Sequence, residues 1–436
     1  MPFFTEPIAQ ITLDSLDGVA GWIDDTQGEL RRIPFVGLLE HGATFRDDEY
    51  FGDGESVLHF NRAGFGALCQ KLGFTAGQLE NLETPSLVSQ VLNDLLAQRD
   101  VRARFGDDEC VVDERAGRII GLVSSSYVTY SNADFLDDVT GLLDGLPRDQ
   151  RLEFHGAYGI NTELTLRFTS TTFHGVIRGC GGQGEDKSKV GLELRNAMVG
   201  NASVRINYFL HRLICANGLM VPAAEAVSRV FHSGQTDTFH RRLERCLGEV
   251  FRNIGKIQDL LSSLGTMDFD PEALARTRSM TDSVFEVIPG LKHTIVEKEQ
   301  LFLRCPRGAS DEDRERLRRE HDTRIIALIP KYLGGELSKK VFESRFRDSA
   351  TLFDFINVFT EFAKSQPLAE RLAIEERTGA FARYIANNSR KLCNSSGSER
   401  LGHSWPRRTH HRRGQELFSR ESQILTSRTP HGNTGR

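Results

Sequence analysis

The sequence predicts an α+β fold: a central, mostly antiparallel or mixed β-sheet region with helices, then a helical C-terminal region and a disordered tail. Strand-like segments are concentrated between residues 101 and 221, and apolar residues repeat at helical spacing on both sides of them. All apolar periodicity ends near residue 393. The predicted domains are a mixed N-terminal segment with two helices (1–100), a β-rich core (101–221), a helical region (222–392) and a disordered basic tail (393–436).

Length and composition are those of an ordinary soluble globular protein. The chain has 436 residues, of which 39% are hydrophobic and 26% charged, which is enough for two or three domains. The formal net charge is −5. Residues 390–436 hold ten basic and three acidic residues, or +7, which leaves −12 for residues 1–389. An acidic body argues against a protein that coats duplex DNA through bulk electrostatics.

The cysteines and the chain start predict a cytoplasmic protein with no membrane contact. The seven cysteines are odd in number and widely spaced, with no Cys-x-x-Cys pair, which fits free thiols in a reducing compartment. The start has no basic region followed by an apolar one, and no stretch approaches the ~18 apolar residues of a membrane span.

Two helices are predicted in the N-terminal segment, after a mostly irregular start of about 55 residues. The first covers 60–72, where Phe65, Leu68 and Leu72 share one face. The second covers 85–98, with apolar residues at spacings of three and four.

The central region predicts a hairpin and then a sheet. Segments 109–113 and 118–123 flank a Gly-containing turn, as in a β-hairpin. Ser131 and Asp134 can cap a helix that runs to about residue 143. Further strands are predicted at 157–162, 164–172, 190–196 and 203–208. In the last of these, Val204, Ile206 and Tyr208 alternate with polar residues, which predicts a sheet with one solvated face.

The helical region is dominated by an apolar seam. From Phe239 to Leu264, apolar residues recur every three or four positions, close to a heptad pattern that needs a partner helix. That partner lies either in the same chain or in a second copy, so 239–264 is also a candidate homo-oligomer contact. Two further amphipathic helices are predicted at 352–363 and 368–385. The charged run 311–324 has six acidic and five basic residues and predicts an exposed helix.

The tail has two interpretations. It is rich in Ser, Arg, His, Thr and Gly, a composition that does not bury a core. It is either a native basic segment able to bind nucleic acid or the product of translation out of the ancestral frame.

The motifs offer no catalytic site. The glycines of 179–184 fit G-x-G-x-x-G, but they precede a predicted strand and not a helix, so a hairpin loop is the better interpretation. Glu185 stands where a P-loop requires lysine. The sequence has no Cys/His cluster with metal spacing and no Gly-x-Ser-x-Gly. We therefore predict no catalytic residues, metal or cofactor. A non-enzyme is favoured, and an enzyme with an unrecognised site stays open.

A small basic surface is the main candidate site. Arg205 lies on the polar side of its predicted strand, and Arg195 lies on the preceding strand. His211 and Arg212 follow directly, and Tyr127 is an aromatic available for base stacking. The alternative is that these arginines are structural and pair with nearby carboxylates.

Several segments in a fixed order resemble a known family. They are 93–96, 124–127 with Asn132, 159–163, 212–218 and 357–363 with Gly379. With them, residues 45–390 resemble the phage/plasmid-like protein family, domain-of-unknown-function family 932. The motif positions are Ser126, Tyr127, Asn196, Arg212, Cys215, Asn217, Gly218, Asn357 and Thr360. The resemblance implies a gene carried by prophages, plasmids or genomic islands. It implies no activity and no catalytic residues.

Two functional hypotheses follow. The first is an accessory protein of a mobile element that binds single-stranded nucleic acid in recombination, repair or replication. It depends on the implied genetic context and on the candidate basic surface. The second is a non-catalytic protein-interaction factor that counters a host defence or restriction system. It depends on the acidic body, because acidic surfaces engage basic partners.

Overall fold

The computed structural model describes residues 10–388, apart from short gaps. The gaps are 47–49, 53–56, 81, 83, 149–150, 161, 179–184, 200–203, 213–216, 223–228, 233–235 and 345–349. The predicted tail and the glycine-rich loop therefore lie outside the described residues.

In the described residues, strands and helices both occur before residue 231, and the elements after it are helices. The first group is β1 (Gln10–Leu13), α1 (Leu16–Thr26), β2 (Leu30–Pro34), α2 (Phe35–Glu40), β3 (Thr44–Phe45), β4 (Tyr50–Gly52), β5 (Val57–Phe60), α3 (Arg62–Leu72), α4 (Ala76–Glu80), α5 (Pro85–Ala97), α6 (Arg99–Arg102), β6 (Glu109–Asp113), β7 (Arg118–Val123) and α7 (Asn132–Asp144). The second is β8 (Leu152–Ile160), β9 (Glu163–Arg178), β10 (Glu185–Ala197), β11 (Val204–Arg212), β12 (Asn217–Pro222) and β13 (Arg229–Val230). The third is α8 (Thr236–Gly265), α9 (Pro271–Ala275), α10 (Arg278–Phe285), α11 (Leu291–Lys298), α12 (Asp311–Leu333), α13 (Glu336–Ser344), α14 (Leu352–Ala363) and α15 (Leu368–Asn387).

The strands form two sheets. A seven-stranded sheet has the order β1-β8-β9-β10-β11-β12, with β13 also paired to β11, and all its pairs are antiparallel. A six-stranded sheet has the order β2-β6-β7-β5-β4-β3, in which only the β5–β7 pair is parallel. The predicted hairpin 109–123 belongs to the six-stranded sheet. The predicted domain boundary at residue 101 therefore falls between strands of one sheet.

Local signals account for several helix starts. Ser131 caps α7 by accepting from the backbone N–H of Asp134, whose carboxylate accepts from the Ser131 backbone N–H. Thr351 and Asp354 form the same reciprocal capping box at α14. Each box satisfies two backbone donors that a helix start otherwise leaves unpaired. The predicted starts near 131 and 352 follow from these residues.

The two sheets have separate cores. The six-stranded sheet packs on α3 and α5 around a cluster of buried phenylalanines. The seven-stranded sheet packs on α1, α7, α8 and the C-terminal helices in one larger core. A third, small cluster joins the two sheets, with Val111, Ile120 and Val123 from one side and Met198 and Val199 from the other.

The α+β fold is confirmed, with helices and strands close to most predicted positions. The apolar seam lies in α8, where Phe239, Leu243 and Leu264 are buried in the core of the same chain. This helix contacts β9, β11, α14 and α15, so the described part of the seam has intrachain partners. One expectation is wrong: most of the polar side of the seven-stranded sheet is buried, with Arg167, Glu193 and Asn207 at most 9% exposed, and α15 packs on it through Glu375 and Glu376.

Candidate functional site

The covered side of the seven-stranded sheet buries an arginine between two glutamates. Arg167 on β9 is 1% exposed. Its Nε donates to Glu193 Oε2 of the neighbouring strand β10 at 2.8 Å, and its Nη2 donates to Glu375 Oε2 of α15 at 2.5 Å. Both glutamates are also buried. A fully buried guanidinium is tolerated here because charged acceptors take its donors.

A tyrosine and a second arginine complete the inner part of this cluster. Arg167 Nη1 donates to the Tyr158 hydroxyl at 3.2 Å, and the guanidinium lies 4.8 Å from the Tyr158 ring centroid. Arg371, one turn before Glu375 on α15, donates from Nε to Glu375 Oε1 at 2.9 Å. The two oxygens of Glu375 therefore accept from two different arginines.

The predicted residues Arg195 and Arg205 lie on the outer part of the same surface. They face each other in register on β10 and β11. Arg195 forms an ion pair with Glu163, and Arg205 approaches Glu376 of α15 at 3.4 Å. About 30% of each arginine side chain is exposed. Both arginines thus have the carboxylate pairing that the structural interpretation expected.

We call these eight residues the charged layer. Its members are Arg167, Arg195, Arg205, Arg371, Glu163, Glu193, Glu375 and Glu376. Four positive and four negative side chains balance formally. Replacing one member therefore leaves an unmatched charge, and where the partner is buried this is strongly destabilising.

The pKa values reflect burial in competition with pairing. Burial raises the pKa of Glu193 above its usual value even though Arg167 lies beside it. Burial alone would lower the pKa of Arg167, but Glu375 and Glu193 together raise it. The same competition, with Glu163 as the main partner, raises the pKa of Arg195. The arginines therefore stay charged throughout the physiological range.

A second cluster surrounds the predicted residue Tyr127. Its ring stacks on His232, with centroids 5.2 Å apart and planes 5° from parallel, and its hydroxyl donates to the Met198 carbonyl at 3.3 Å. Burial raises the pKa of the Tyr127 hydroxyl. Tyr127 therefore joins the two sheets, because it follows β7 and contacts the end of β10.

The turn before Tyr127 is held by an arginine of the six-stranded sheet. Arg32 on β2 donates to the carbonyls of Ser124, Ser125 and Tyr127 at 2.8–3.1 Å and pairs with Glu109. Ser126 itself is exposed, with its hydroxyl 3.1 Å from that of Ser124. Three backbone carbonyls of this turn therefore converge on one guanidinium.

Two motif asparagines meet below this turn. Asn196 donates from Nδ2 to Asn132 Oδ1 at 2.9 Å and to the Tyr130 carbonyl at 3.2 Å. His232 has its Nδ1 3.1 Å from the Val128 carbonyl. Asn196 Oδ1 and His232 Nε2 are buried without a hydrogen-bond partner. Burial lowers the pKa of His232, so the neutral ring is favoured.

The remaining motif positions are scattered. Asn357 and Thr360 are buried in α14, where Asn357 Nδ2 donates to the Phe353 carbonyl and Thr360 Oγ1 to the Asn357 carbonyl, both at 2.9 Å. His211 and Arg212 pair through their backbones with Gly218 and Asn217 of β12. Cys215 lies outside the described residues. The motif residues therefore form at least two groups and not one site.

The centre of the charged layer was not among the residues predicted from the sequence. Arg167 and Glu193 lie within apolar strands, each flanked by leucines or phenylalanine whose side chains face the core. A charged residue inside such a run was the available signal. Glu375 offered none, because it lies in a helix with many charges.

Three further kinds of feature bear on function in the described residues: metal ligands, membrane-spanning helices and cavities. Among them, no group of three or more His, Cys, Asp or Glu side chains is arranged to hold a metal ion. No helix in that part of the chain is both long and apolar enough to cross a bilayer. Two cavities, of about 860 and 500 Å³, lie away from the charged layer.

Taken together, the fold and its sites define a two-sheet α+β protein with a buried charged layer and a tyrosine–histidine contact between the sheets. By sequence, residues 119–366 match the family described as Domain of unknown function (DUF932), and the chain belongs to that family. The match runs from β7 to just beyond α14 and includes both clusters except for α15. No curated protein and no solved structure matches the chain.

Proposed function

We propose that this protein is a non-catalytic accessory factor of a mobile genetic element that binds single-stranded nucleic acid. One observation supports it most: Arg195 and Arg205 are adjacent across two strands, and each is partly exposed. Like charges placed opposite each other on a sheet repel. A phosphate bound between them would relieve that repulsion, and guanidinium groups recognise phosphate well.

Two carboxylates of the charged layer limit how tightly this site can bind a phosphate. Glu163 and Glu376 occupy the same arginines that a phosphate would contact. Binding therefore requires nucleic acid to compete with two glutamates. The mobile-element context rests on the resemblance to the phage/plasmid-like family.

Because the two glutamates compete with nucleic acid for the arginines, removing the glutamate charges should increase the affinity for nucleic acid. We would titrate the full chain with a labelled 20-nucleotide single strand and the matching duplex at two salt concentrations, following anisotropy. Glu163→Gln with Glu376→Gln should strengthen single-strand binding severalfold, because both arginines are released. Arg195→Gln with Arg205→Gln should weaken it and reduce the salt dependence.

A tail variant controls for non-specific charge. Arg412→Ala with Arg413→Ala removes two positive charges from the basic tail and leaves the sheet unaltered. Binding that responds to the tail variant but to neither of the two double variants of the charged layer would contradict the proposal. So would equal affinity for the single strand and the duplex.

The balance of the charged layer favours a second candidate, a protein-interaction factor that counters a host defence. Its four arginines are matched by glutamates, and residues 1–389 carry −12 overall. A basic protein partner suits that charge. A nuclease-resistant complex with a purified restriction or defence component, formed without nucleic acid, would support this alternative.

A further inference from the structure

A short segment between α11 and α12 exposes apolar side chains to solvent. Phe302 is 59% exposed and Leu303 is 45% exposed. The large apolar side chains exposed in the described part of the chain are Val57, Leu87, Phe231, Phe302 and Leu303. Of these, only Phe302 and Leu303 are neighbours in sequence. Adjacent exposed apolar residues are more informative than scattered ones, because single exposed residues are common.

The protein holds this segment in place from both sides. Gln300 has a φ of 53°, and it is the only non-glycine residue with positive φ among the described residues. The Leu301 backbone N–H donates to the Val296 carbonyl at 2.9 Å, and a ring nitrogen of His321 lies 2.6 Å from the Leu301 carbonyl. A left-handed glutamine costs free energy and persists where surrounding contacts impose it. Phe302 is therefore presented on a fixed base.

The basic residues of this segment have no carboxylate among their near neighbours in sequence. Arg304 and Arg307 are exposed, and residues 300–310 contain no Asp or Glu. The flanking acidic residues are mostly neutralised by their own partners. Glu299 pairs with Lys331 at 2.6 Å, Asp311 with Arg314 at 3.5 Å and Asp313 with Arg316 at 3.0 Å, which leaves Glu312.

We propose that Phe302, Arg304 and Arg307 form a second contact site for single-stranded nucleic acid. The inference rests on the proposed function and names a place on the protein for it. A base stacks on the open face of Phe302, and the adjoining phosphates pair with Arg304 and Arg307. Aromatic platforms beside a basic track are how sequence-tolerant single-strand sites are built. A duplex offers no free base face, so it gains only the phosphate contacts.

Stacking is tested by a cycle that changes the protein and the nucleic acid separately. Full chain and Phe302→Ala are each titrated with a 20-nucleotide oligothymidylate and with an abasic strand of the same length. We expect Phe302→Ala to weaken binding of oligothymidylate about tenfold and of the abasic strand hardly at all. Phe302→Trp should retain full affinity. Arg304→Gln with Arg307→Gln should reduce the slope of log affinity against log salt by about 1.4, the value for two single-strand phosphates.

Two matched controls separate stacking from other effects. Phe231→Ala removes a phenylalanine of similar exposure, 56%, at another place on the surface. Leu303→Ala removes the apolar neighbour that has no ring. Neither should change affinity by more than about twofold. If Leu303→Ala weakened oligothymidylate binding as much as Phe302→Ala, binding would not depend on the aromatic ring, and the inference would be overturned.

The exposed thiol of Cys305 gives a readout that needs no substitution. Cys305 is exposed, whereas Cys246 on α8 is only partly so. Saturating oligothymidylate should slow alkylation of Cys305 severalfold, measured by mass spectrometry of its peptide with Cys246 as reference. If the full chain binds oligothymidylate, unaltered alkylation together with unaltered Phe302→Ala affinity overturns this site but leaves the proposed function standing. If the full chain does not bind at all, the proposed function fails, and the inference fails with it.

Discussion

The polar face of the seven-stranded sheet and the apolar face of the six-stranded sheet are buried in opposite ways. The six-stranded sheet is covered by aromatic side chains, and its ring centroids lie 4.6–6.3 Å apart along Phe105, Phe35, Phe51, Phe45, Phe60 and Phe65. The seven-stranded sheet buries an arginine and two glutamates under α15. Apolar packing accepts any partner of suitable shape, whereas each buried charge requires a particular opposite charge.

This difference assigns different roles to the two regions. The phenylalanines of the six-stranded sheet all lie between residues 35 and 105, so they come from neighbouring parts of the sequence. The charged layer joins β9 and β10 to a helix some 200 residues later in the chain. Ion pairs therefore hold α15 against the sheet, together with buried apolar residues of α15 such as Ile374 and Phe381. The packing of the six-stranded sheet depends instead on the apolar pattern of its sequence and on the volumes of its buried side chains.

The largest effect is expected from breaking the charged layer at its centre. Arg167→Met keeps an unbranched side-chain stem but removes the guanidinium, which leaves Glu193 and Glu375 buried without their shared cation. Removing one partner of a buried ion pair costs about 3–5 kcal/mol. We expect the free energy of unfolding to fall by that amount. Trp22, buried in the same core, reports the transition by fluorescence in a Trp405→Phe background.

A compensated variant sharpens this prediction. Arg167→Met with Glu193→Leu and Glu375→Leu removes all three buried charges together. It should recover much of the lost free energy of unfolding, because apolar residues can replace a buried ion network. A loss for the triple variant as large as for Arg167→Met would mean that side-chain shape, and not charge, explains the cost.

The phenylalanine cluster should be more tolerant. Phe51→Leu leaves an apolar side chain of somewhat smaller volume among other rings, so the expected loss is about 1 kcal/mol, below the ~1.5 kcal/mol limit of conservative core exchanges. Chemical denaturation followed by circular dichroism measures it. A loss equal to that of Arg167→Met would remove the distinction between the two sheets.

The contrast between local contacts and contacts between distant parts of the chain also explains which features the sequence predicts. Helices with strong caps, such as those after Ser131 and Thr351, and the hairpin of β6 and β7 were predictable because their signals are local. The pairing of Arg167 with Glu375 was not, because nothing near either residue indicates the other. Tyr127 was predicted as an aromatic available for base stacking, but the sequence did not indicate its contact with His232, which depends on how the chain returns to the sheet junction.

An intermediate effect is expected on lowering the pH. Burial lowers the pKa of His232, so the folded chain resists protonation there while the unfolded chain takes up a proton. Stability is therefore retained above the unfolded pKa of about 6.5 and is lost as pH falls from it towards the folded pKa, by at most about 1.4 kcal/mol per pH unit. His232→Asn should reduce the decrease in free energy of unfolding between pH 7 and 5.5. An identical decrease in both proteins would exclude His232 as its source.

The smallest effect is expected where charges pair in water. Arg316 and Asp313 on α12 lie 3.0 Å apart, as close as the pairs of the charged layer, but their side chains are 64% and 48% exposed. Water already solvates both groups, so the pair gains little over separate ions. Arg316→Gln should change the free energy of unfolding by less than about 0.5 kcal/mol. A loss approaching that of Arg167→Met would mean that ion-pair distance sets the contribution to stability, whereas the contrast between the two sheets requires that burial sets it.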